Sequence, residues 1–580
     1  MNNILKHSIK LLNKNQKFKL IIICFLTLIG ALLETLGVGI VVPFLSIFIE
    51  SDTKNSFFEH TFLSSILKTE NIIFFKNYNP ILSGSLIILI IFTIKNFYLL
   101  YLQWFNAKFT FDVETSLSKR LLDLYLSQKY SFFLKRNSAN LIRNIKEEVV
   151  YFRAKIVNQI YTVFIDLLTI FCILILLIFI NPQASIFAIV FMVLASLIYL
   201  SFTKTKIKRL AIQRQYHDEI RLKSLQHSFT GIKQIKVSGS ENFFSNIFNF
   251  HNTKTTYSSV MHDFIIQIPR YVLEIFAIGS LFILILVFFR QNLNYTDLIP
   301  LLGVYAVASF KILPSANRLT QALNQIRSGV PTVELLHNEL NKLQIIKRQN
   351  EKFDKKEFKN LKINNLNFSY IEQKNVLNNV NLSIKKGDVV GVIGNSGAGK
   401  STLIDIIIGL LNPTQGEVYF NDLKLKDNDN SWLNIIGYVP QEIFILDDTL
   451  LNNITFGSEG KRNTKSQVSN LIELLELKEF VNSLPEGLNT NLNERGTRIS
   501  GGQKQRIGIA RALYNNPDII ILDEATNALD KNLEHKILKN IKKLENKTII
   551  IISHNLESFK ENCNQVFEIK DGYVKTKGQI

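Results

Sequence analysis

The chain has 580 residues, too many for one ordinary folding unit, so at least two are expected. It is 47% hydrophobic with 43 Phe, and its 67 Lys and Arg against 48 Asp and Glu give a formal charge of +19. Such apolar richness fits a chain largely dissolved in lipid. The basic residues fall mainly between apolar runs rather than in one stripe. They read as the positive-inside rule, and nucleic acid is not an expected partner.

Apolar runs long enough to span a bilayer lie near 20–49, 81–105, 157–180, 183–203, 264–289 and 297–316, predicting a membrane α-helical domain over 1–320. The first run is too long for a signal-peptide core and is read as a retained helix. The third and fourth are joined only around Asn181-Pro182-Gln183, a tight hairpin. Lys6, Lys10, Lys14, Lys17 and Lys19 place the N-terminus in the cytoplasm. The segment 106–156 carries Lys119, Arg120, Lys135, Arg136, Arg143 and Lys146, and 204–262 opens with Lys204, Lys206, Lys208 and Arg209. Both are therefore cytoplasmic, and both termini are expected inside. The first outer loop, 51–79, holds Phe57, Phe58, Phe62, Leu63, Leu67, Ile72, Phe74 and Phe75 among charges. It suits an amphipathic helix at the interface or packing on the bundle. Residues 321–356 are polar and Lys-rich, with Leu335, Leu336, Leu340 and Leu343 at helical spacing, and read as a linker. Cys24, Cys172 and Cys563 lie far apart, which excludes a disulfide framework or metal spacing.

Residues 357–580 alternate strand and helix patterns, an α/β domain. The strand Val389–Ile393 runs into Gly394-Asn395-Ser396-Gly397-Ala398-Gly399-Lys400-Ser401-Thr402 and then a helix pattern, a full phosphate-loop match in strand–loop–helix context. Its backbone N–H groups would surround phosphates, Lys400 would meet the β/γ oxygens, and the Ser401 hydroxyl would reach Mg²⁺. The strand Ile519–Leu522 ends in Asp523 and Glu524. Asp523 would hold Mg²⁺, and Glu524 would orient and polarise the attacking water.

Ile499-Ser500-Gly501-Gly502-Gln503, followed by Lys504-Gln505-Arg506 and a helix pattern, resembles the LSGGQ signature of ATP-binding-cassette (ABC) proteins, with Ile499 for the usual Leu. Other marks of that family follow in order. Tyr370 matches the adenine-stacking aromatic. Gln441 in Gly437-Tyr438-Val439-Pro440-Gln441 matches the Q-loop residue that contacts Mg²⁺ and water. Glu494-Arg495-Gly496 resembles the segment before an exporter signature. Asn527-Ala528-Leu529-Asp530 matches the D-loop, and Ser553-His554 the switch histidine. The resemblance covers the whole chain and implies a half-exporter: six spans, then an ABC nucleotide-binding domain hydrolysing ATP with Mg²⁺. It implies a second identical subunit, because the signature of one chain covers the ATP held by the other. It further implies short transverse helices that meet the nucleotide domain, with Ser138–Ile145 and Ser228–Lys236 as candidates. A non-transporting ATP-gated regulator is the reading from another class; Glu524 and His554 argue for turnover instead.

Ionisable residues inside spans cost roughly 3 kcal/mol each at mid-bilayer, which makes them functional candidates. Lys95, Arg270 and Lys311 stand out. Together they would suit an anionic head group. Separately, Lys95 or Lys311 would snorkel to an interface, and Arg270 would pair with Glu274 one turn on. Glu34-Thr35-Leu36-Gly37 with Val42-Pro43-Phe44, Ile268-Pro269-Arg270, and Leu313-Pro314-Ser315-Ala316-Asn317-Arg318 resemble the PglK-type flippases. That resemblance implies a polyprenyl-pyrophosphate-linked oligosaccharide as cargo, turned over in a bacterial inner membrane. Lysine at 95 and 311 keeps the charge without the arginine fork. The alternatives are another lipid, such as lipid A, or a peptide. Only about 19 residues precede the first span, and no leader-trimming protease domain is expected there.

Overall fold

The computed structural model describes residues 2–40, 80–180, 182–290, 295–344, 358–370, 374–425, 431–458, 464–493, 499–544, 546–553 and 563–577. The chain divides into two units: Met1–Gln128 with Arg136–Ile345, and Lys129–Lys135 with Ile346–Ile580.

The first unit is helical. It runs α1 (Asn2–Leu11), α2 (Lys14–Gly39), α3 (Pro80–Leu126), α4 (Tyr130–Leu134, of the second unit), α5 (Ser138–Arg143), α6 (Val149–Phe152), α7 (Asn158–Ile180), α8 (Pro182–Thr230), α9 (Ile232–Ser238), α10 (Glu241–Arg290), α11 (Tyr295–Ser328) and α12 (Val330–Lys342). The 47, 49 and 50 residues of α3, α8 and α10 correspond to about 70–75 Å at 1.5 Å per residue. That is more than twice a hydrocarbon core of roughly 30 Å, so each carries its span well beyond the bilayer. Lys14–Gly37, Ser85–Leu126 and Ser138–Phe179 are long and apolar enough to cross a membrane. They expose Phe97, Phe171 and Phe179 outward, which water would penalise and lipid does not. The predicted hairpin is tight: α7 stops at Ile180 and α8 starts at Pro182, where proline lacks an N–H that a first helical turn leaves unused. The outer loop 51–79 lies outside the described residues.

Helix α2 packs on α3 and α7, α7 on α11, and α8 most extensively on α10. The α7–α11 contact carries Asp166, 1% exposed, which accepts from Arg318 Nε at 3.1 Å and Nη2 at 2.6 Å; the same Nη2 donates to Ser315 Oγ at 2.9 Å.

Two expectations are corrected. Residues 321–342 are packed helix rather than linker: α11 continues to Ser328, α12 follows, and Ala322, Asn324, Ile326, Val333 and Leu336 are buried. The change of unit falls at Ile345–Ile346, inside a stretch, 345–357, outside the described residues. The first candidate transverse helix is misplaced. Ser138–Arg143 belongs to the first unit, with Asn137 capping it through the Ala139 N–H at 2.8 Å and Ala139, Leu141 and Arg143 buried. The short helix of the preceding turn that groups with the second unit is α4, none of whose residues is buried. The second candidate, Ser228–Lys236, overlaps α9, closed by the left-handed Gly239.

The second unit holds two sheets. Strands β1 (Asn360–Ser369), β2 (Asn375–Lys385), β4 (Gln415–Phe420) and β5 (Leu423–Lys424) form an antiparallel sheet ordered β2-β1-β4-β5. Strands β3 (Val389–Gly394), β6 (Ile436–Val439), β7 (Ile519–Asp523), β8 (Thr548–Ile552), β9 (Gln565–Lys570) and β10 (Tyr573–Thr576) form a sheet ordered β10-β9-β3-β8-β7-β6, parallel except at β9–β10. The Ile runs of β7 and β8 are buried throughout, as strands covered on both faces must be. Ile519, Ile521, Ile550 and Ile552 face a core shared with Leu403, Ile404, Ile406 and Ile407 of α13 (Lys400–Ile407). Ile520, Leu522, Ile549 and Ile551 face the opposite core, shared with Ile507, Ile509 and Leu513 of α17 (Gly501–Leu513; α14 is Leu450–Thr455, α15 Thr464–Leu474, α16 Lys478–Ser483).

Removing Arg318 strands a buried carboxylate, whereas removing both partners does not. Arg318→Met should lower the thermal unfolding midpoint of the detergent-purified protein by roughly 5 °C or more. Asp166→Asn with Arg318→Met should recover most of that loss, and a double variant as unstable as the single one would contradict the pairing.

Candidate functional site

The phosphate loop closes β3 and opens α13. Gly399 caps the helix at φ +102°, and a Cβ there would lie 3.0 Å from Leu377 Cδ2 and 3.1 Å from the Val376 carbonyl oxygen, so only glycine fits. Lys400 is buried and donates to the carbonyls of Gly394 at 2.7 Å and Asn395 at 3.1 Å. Burial pushes its ammonium below the usual lysine range, while Glu524 and Asp523 work against that shift. Thr402 is buried, and its hydroxyl is 3.2 Å from the Tyr370 hydroxyl. The Tyr370 ring is half exposed and set edge-on to Phe368 at 4.9 Å, a face open to a planar base.

The two carboxylates at the end of β7 differ in setting. Asp523 is 5% exposed and accepts from the Tyr438 hydroxyl at 3.3 Å. Burial holds its carboxyl above the usual range; Tyr438 and Lys400 lower it and Glu524 raises it. Glu524 leaves the strand at φ +49°, an uncommon conformation for a side-chain-bearing residue, with its N–H on the Ile552 carbonyl at 3.1 Å. Its Oε2 accepts from Gln441 Nε2 at 2.8 Å and from Asn527 Nδ2 at 3.1 Å. Thus Gln441 and Glu524, far apart in sequence, are brought together, and Asn527 joins them. A buried carboxylate beside a second one, a hydroxyl-bearing helix start and the Gln441 amide oxygen is a donor set of hard oxygens that suits Mg²⁺. Bound there, Mg²⁺ would neutralise phosphate charge.

The signature segment lies on the other face of the sheet. Ser500 caps α17 in a reciprocal capping box: its Oγ accepts from the Gln503 N–H at 3.2 Å, and its N–H donates to Gln503 Oε1 at 2.8 Å. Gly501 and Gly502 lie against Ala528 and Leu529, so the signature turn and the D-loop pack on each other. Gln505, two residues past the signature and given no role by the sequence reading, fastens them: its Oε1 accepts from the Ala528 N–H at 2.9 Å and its Nε2 donates to the Glu524 carbonyl at 3.4 Å. Asp530 is used as the cap of α18 (Lys531–Lys542), accepting from the Leu533 N–H at 2.8 Å. His554 and Glu494-Arg495-Gly496 lie outside the described residues.

Two family models match this chain. One, described as an ABC transporter, matches residues 377–527; the other, an ABC transporter transmembrane region, matches residues 20–307. The chain is an ABC exporter half-transporter. Its fold aligns with a bacterial Atm1-family ABC exporter with ATP bound at a TM-score of 0.77, covering 98% of this chain and 96% of that one at 17% identity. Among sequence relatives, YwjA of Bacillus subtilis, an uncharacterized ABC transporter ATP-binding protein, is 27% identical over 481 residues, 81% of each chain. The alpha-hemolysin translocation ATP-binding protein HlyB of Escherichia coli O157:H7 is 40% identical over 221 residues, 38% of this chain and 31% of that protein. The second unit of the exporter is thus an ABC ATPase whose hydrolysis drives export.

In the exporter's membrane unit only part of the predicted cargo site assembles. Lys95 is buried on α3 within electrostatic reach of Lys311 and Glu34, and Lys311 Nζ is 3.5 Å from Glu34 Oε1. Arg270 is exposed on α10 and is not among the charges acting on Lys95. The sequence reading looked for the site among basic residues of the spans; it quoted Glu34 only as part of a motif and gave neither Glu34 nor Asp166 a role there.

Glu524→Gln should lower ATP turnover by about 100-fold or more while nucleotide binding persists, measured as phosphate release against labelled-ATP binding. Lys400→Ala should weaken binding itself. Wild-type turnover in Glu524→Gln would remove Glu524 from the chemistry.

Proposed function

We propose that two copies of this chain form the working transporter, and that it flips an anionic lipid-linked molecule, a polyprenyl-pyrophosphate-linked oligosaccharide, across a bacterial inner membrane. The observation that carries the cargo reading is the juxtaposition of Lys95 and Lys311 inside the membrane unit. Two ammoniums, one on α3 and one on α11, offer point charges to phosphate oxygens, and a buried cation demands an anion.

The dimer reading has its support in the opposite faces of the sheet. The phosphate loop heads one face and the signature helix the other, so a second chain is needed to lay Ser500 and its helix N-terminus against the ATP held on Lys400. In the working cycle, incoming phosphates take Lys400 from the Gly394 and Asn395 carbonyls. Glu524, steadied by Gln441 and Asn527, orients the attacking water, and two bound ATP molecules clamp the ATPase units. The bonds from Gln505 tie the signature turn of one chain to its own Glu524, so engagement of the partner's ATP also sets the D-loop. Tyr130 of α4 acts electrostatically on Tyr438, three residues before Gln441, which supports this turn as the route from hydrolysis to the spans. Phosphate release then resets the pathway.

A peptide cargo is the second reading, and the HlyB likeness favours it. Vesicles holding the purified protein separate the two. A fluorescent pyrophosphate-linked glycolipid should be inverted on ATP addition, and Lys95→Gln with Lys311→Gln should reduce the rate at least about tenfold. Full flipping after Lys95, Arg270 and Lys311 are all changed to Gln, or ATP-driven accumulation of peptides with no lipid inversion, would reject the lipid reading.

A further inference from the structure

The charges around Lys311 are unequal in number. Glu34 on α2 has both oxygens engaged: Oε1 with Lys311 Nζ of α11 at 3.5 Å, and Oε2 accepting from Thr169 Oγ1 of α7 at 3.1 Å. Lys95 on α3 is set differently. It is 2% exposed and lies over the Phe92 ring at 4.1 Å, and among the described residues no oxygen accepts from its ammonium. That ammonium fills the space left by the missing side chain of Gly37, where a Cβ would stand 3.6 Å from Nζ. Gly37 follows Glu34 by one helical turn, so α2 presents the carboxylate and the vacancy on one face. The adjacent Asp166–Arg318 pair neutralises itself. Two ammoniums therefore share one carboxylate, leaving one positive charge uncompensated in a buried setting, which is costly without an anion.

We propose that Glu34 is a resident carboxylate seated in the anion site of the cargo, and that it sets how much negative charge the site accepts. As built, the excess charge at Lys95 balances a singly charged phosphodiester. A diphosphate brings at least two charges, and it must displace Glu34 from Lys311 while the Thr169 bond retains the displaced carboxylate. Glu34 is thus a specificity-determining residue that discriminates between phosphodiester and diphosphate lipids. The inference rests on the anionic-lipid reading above.

The test uses the full-length protein in nanodiscs of zwitterionic phosphatidylethanolamine, with undecaprenyl diphosphate or phosphatidylglycerol added and the half-stimulating lipid concentration read from ATP turnover. Glu34→Gln should lower that concentration for undecaprenyl diphosphate roughly tenfold and change it for phosphatidylglycerol less than about twofold. Thr169→Val, which loosens Glu34 without removing a charge, should shift the diphosphate value in the same direction by a smaller factor. An unchanged or raised diphosphate value in both variants overturns the role of Glu34 while the cargo reading stands. If the wild type responds to neither lipid, and neither is retained by it in native mass spectrometry, the cargo reading and this inference fall together.

Discussion

Strands β7 and β8 alternate their isoleucines between two apolar cores, and the working parts of the ATPase take their places from that alternation. Odd positions of β7 bury against the helix that follows the phosphate loop, and even positions against the helix that follows the signature. A strand has a period of two, so neither helix can change face without turning every side chain of the strand over. The nucleotide-gripping loop and the nucleotide-covering turn are thereby held on opposite sides of one sheet. The carboxylates emerge at its end, where backbone pairing stops and side chains are free to meet a ligand.

Around that frame, polar side chains are organised by burial. Asp523 is kept in a poor solvent for charge, which favours a cation at its side. Glu524 is oriented by the amides of Gln441 and Asn527 and by a left-handed backbone turn, which aim its carboxylate at the place of the attacking water. The membrane unit uses the same physics at lower dielectric. The pairs Lys311–Glu34 and Arg318–Asp166 join helices and keep the cost of burying their charges down, while Phe97, Phe171 and Phe179 face outward.

What was legible in the sequence follows from distance along the chain. The phosphate loop, the signature and the strand ending in Asp523-Glu524 are contiguous, and each function needs neighbouring residues, so they could be read directly. The hairpin at Pro182 was legible because proline punctuates helices. The contact of Asp166 with Arg318 joins positions 152 apart, and that of Thr169 with Glu34 positions 135 apart, and no local pattern announces such pairs. Arg270 looked equivalent to Lys95 because hydropathy ranks residues by depth, not by which side of a helix they occupy. Helix α4 escaped notice because five residues are too few to show a helical period. The packed stretch 321–342 was taken for a linker because its polar, Lys-rich composition was given more weight than the leucines at helical spacing, of which Leu336 is buried along with Val333.

The sharing of each ATP between two chains can be tested most directly with mixed dimers carrying Lys400→Ala and Ser500→Arg. When the two substitutions sit on different chains, one complete site remains if loop and signature come from opposite subunits, and ATP turnover should persist. When both sit on the same chain beside a wild-type partner, each shared site is broken and turnover should vanish. The reverse pattern, activity only when both substitutions share a chain, would mean that each subunit closes its own site and would contradict the account.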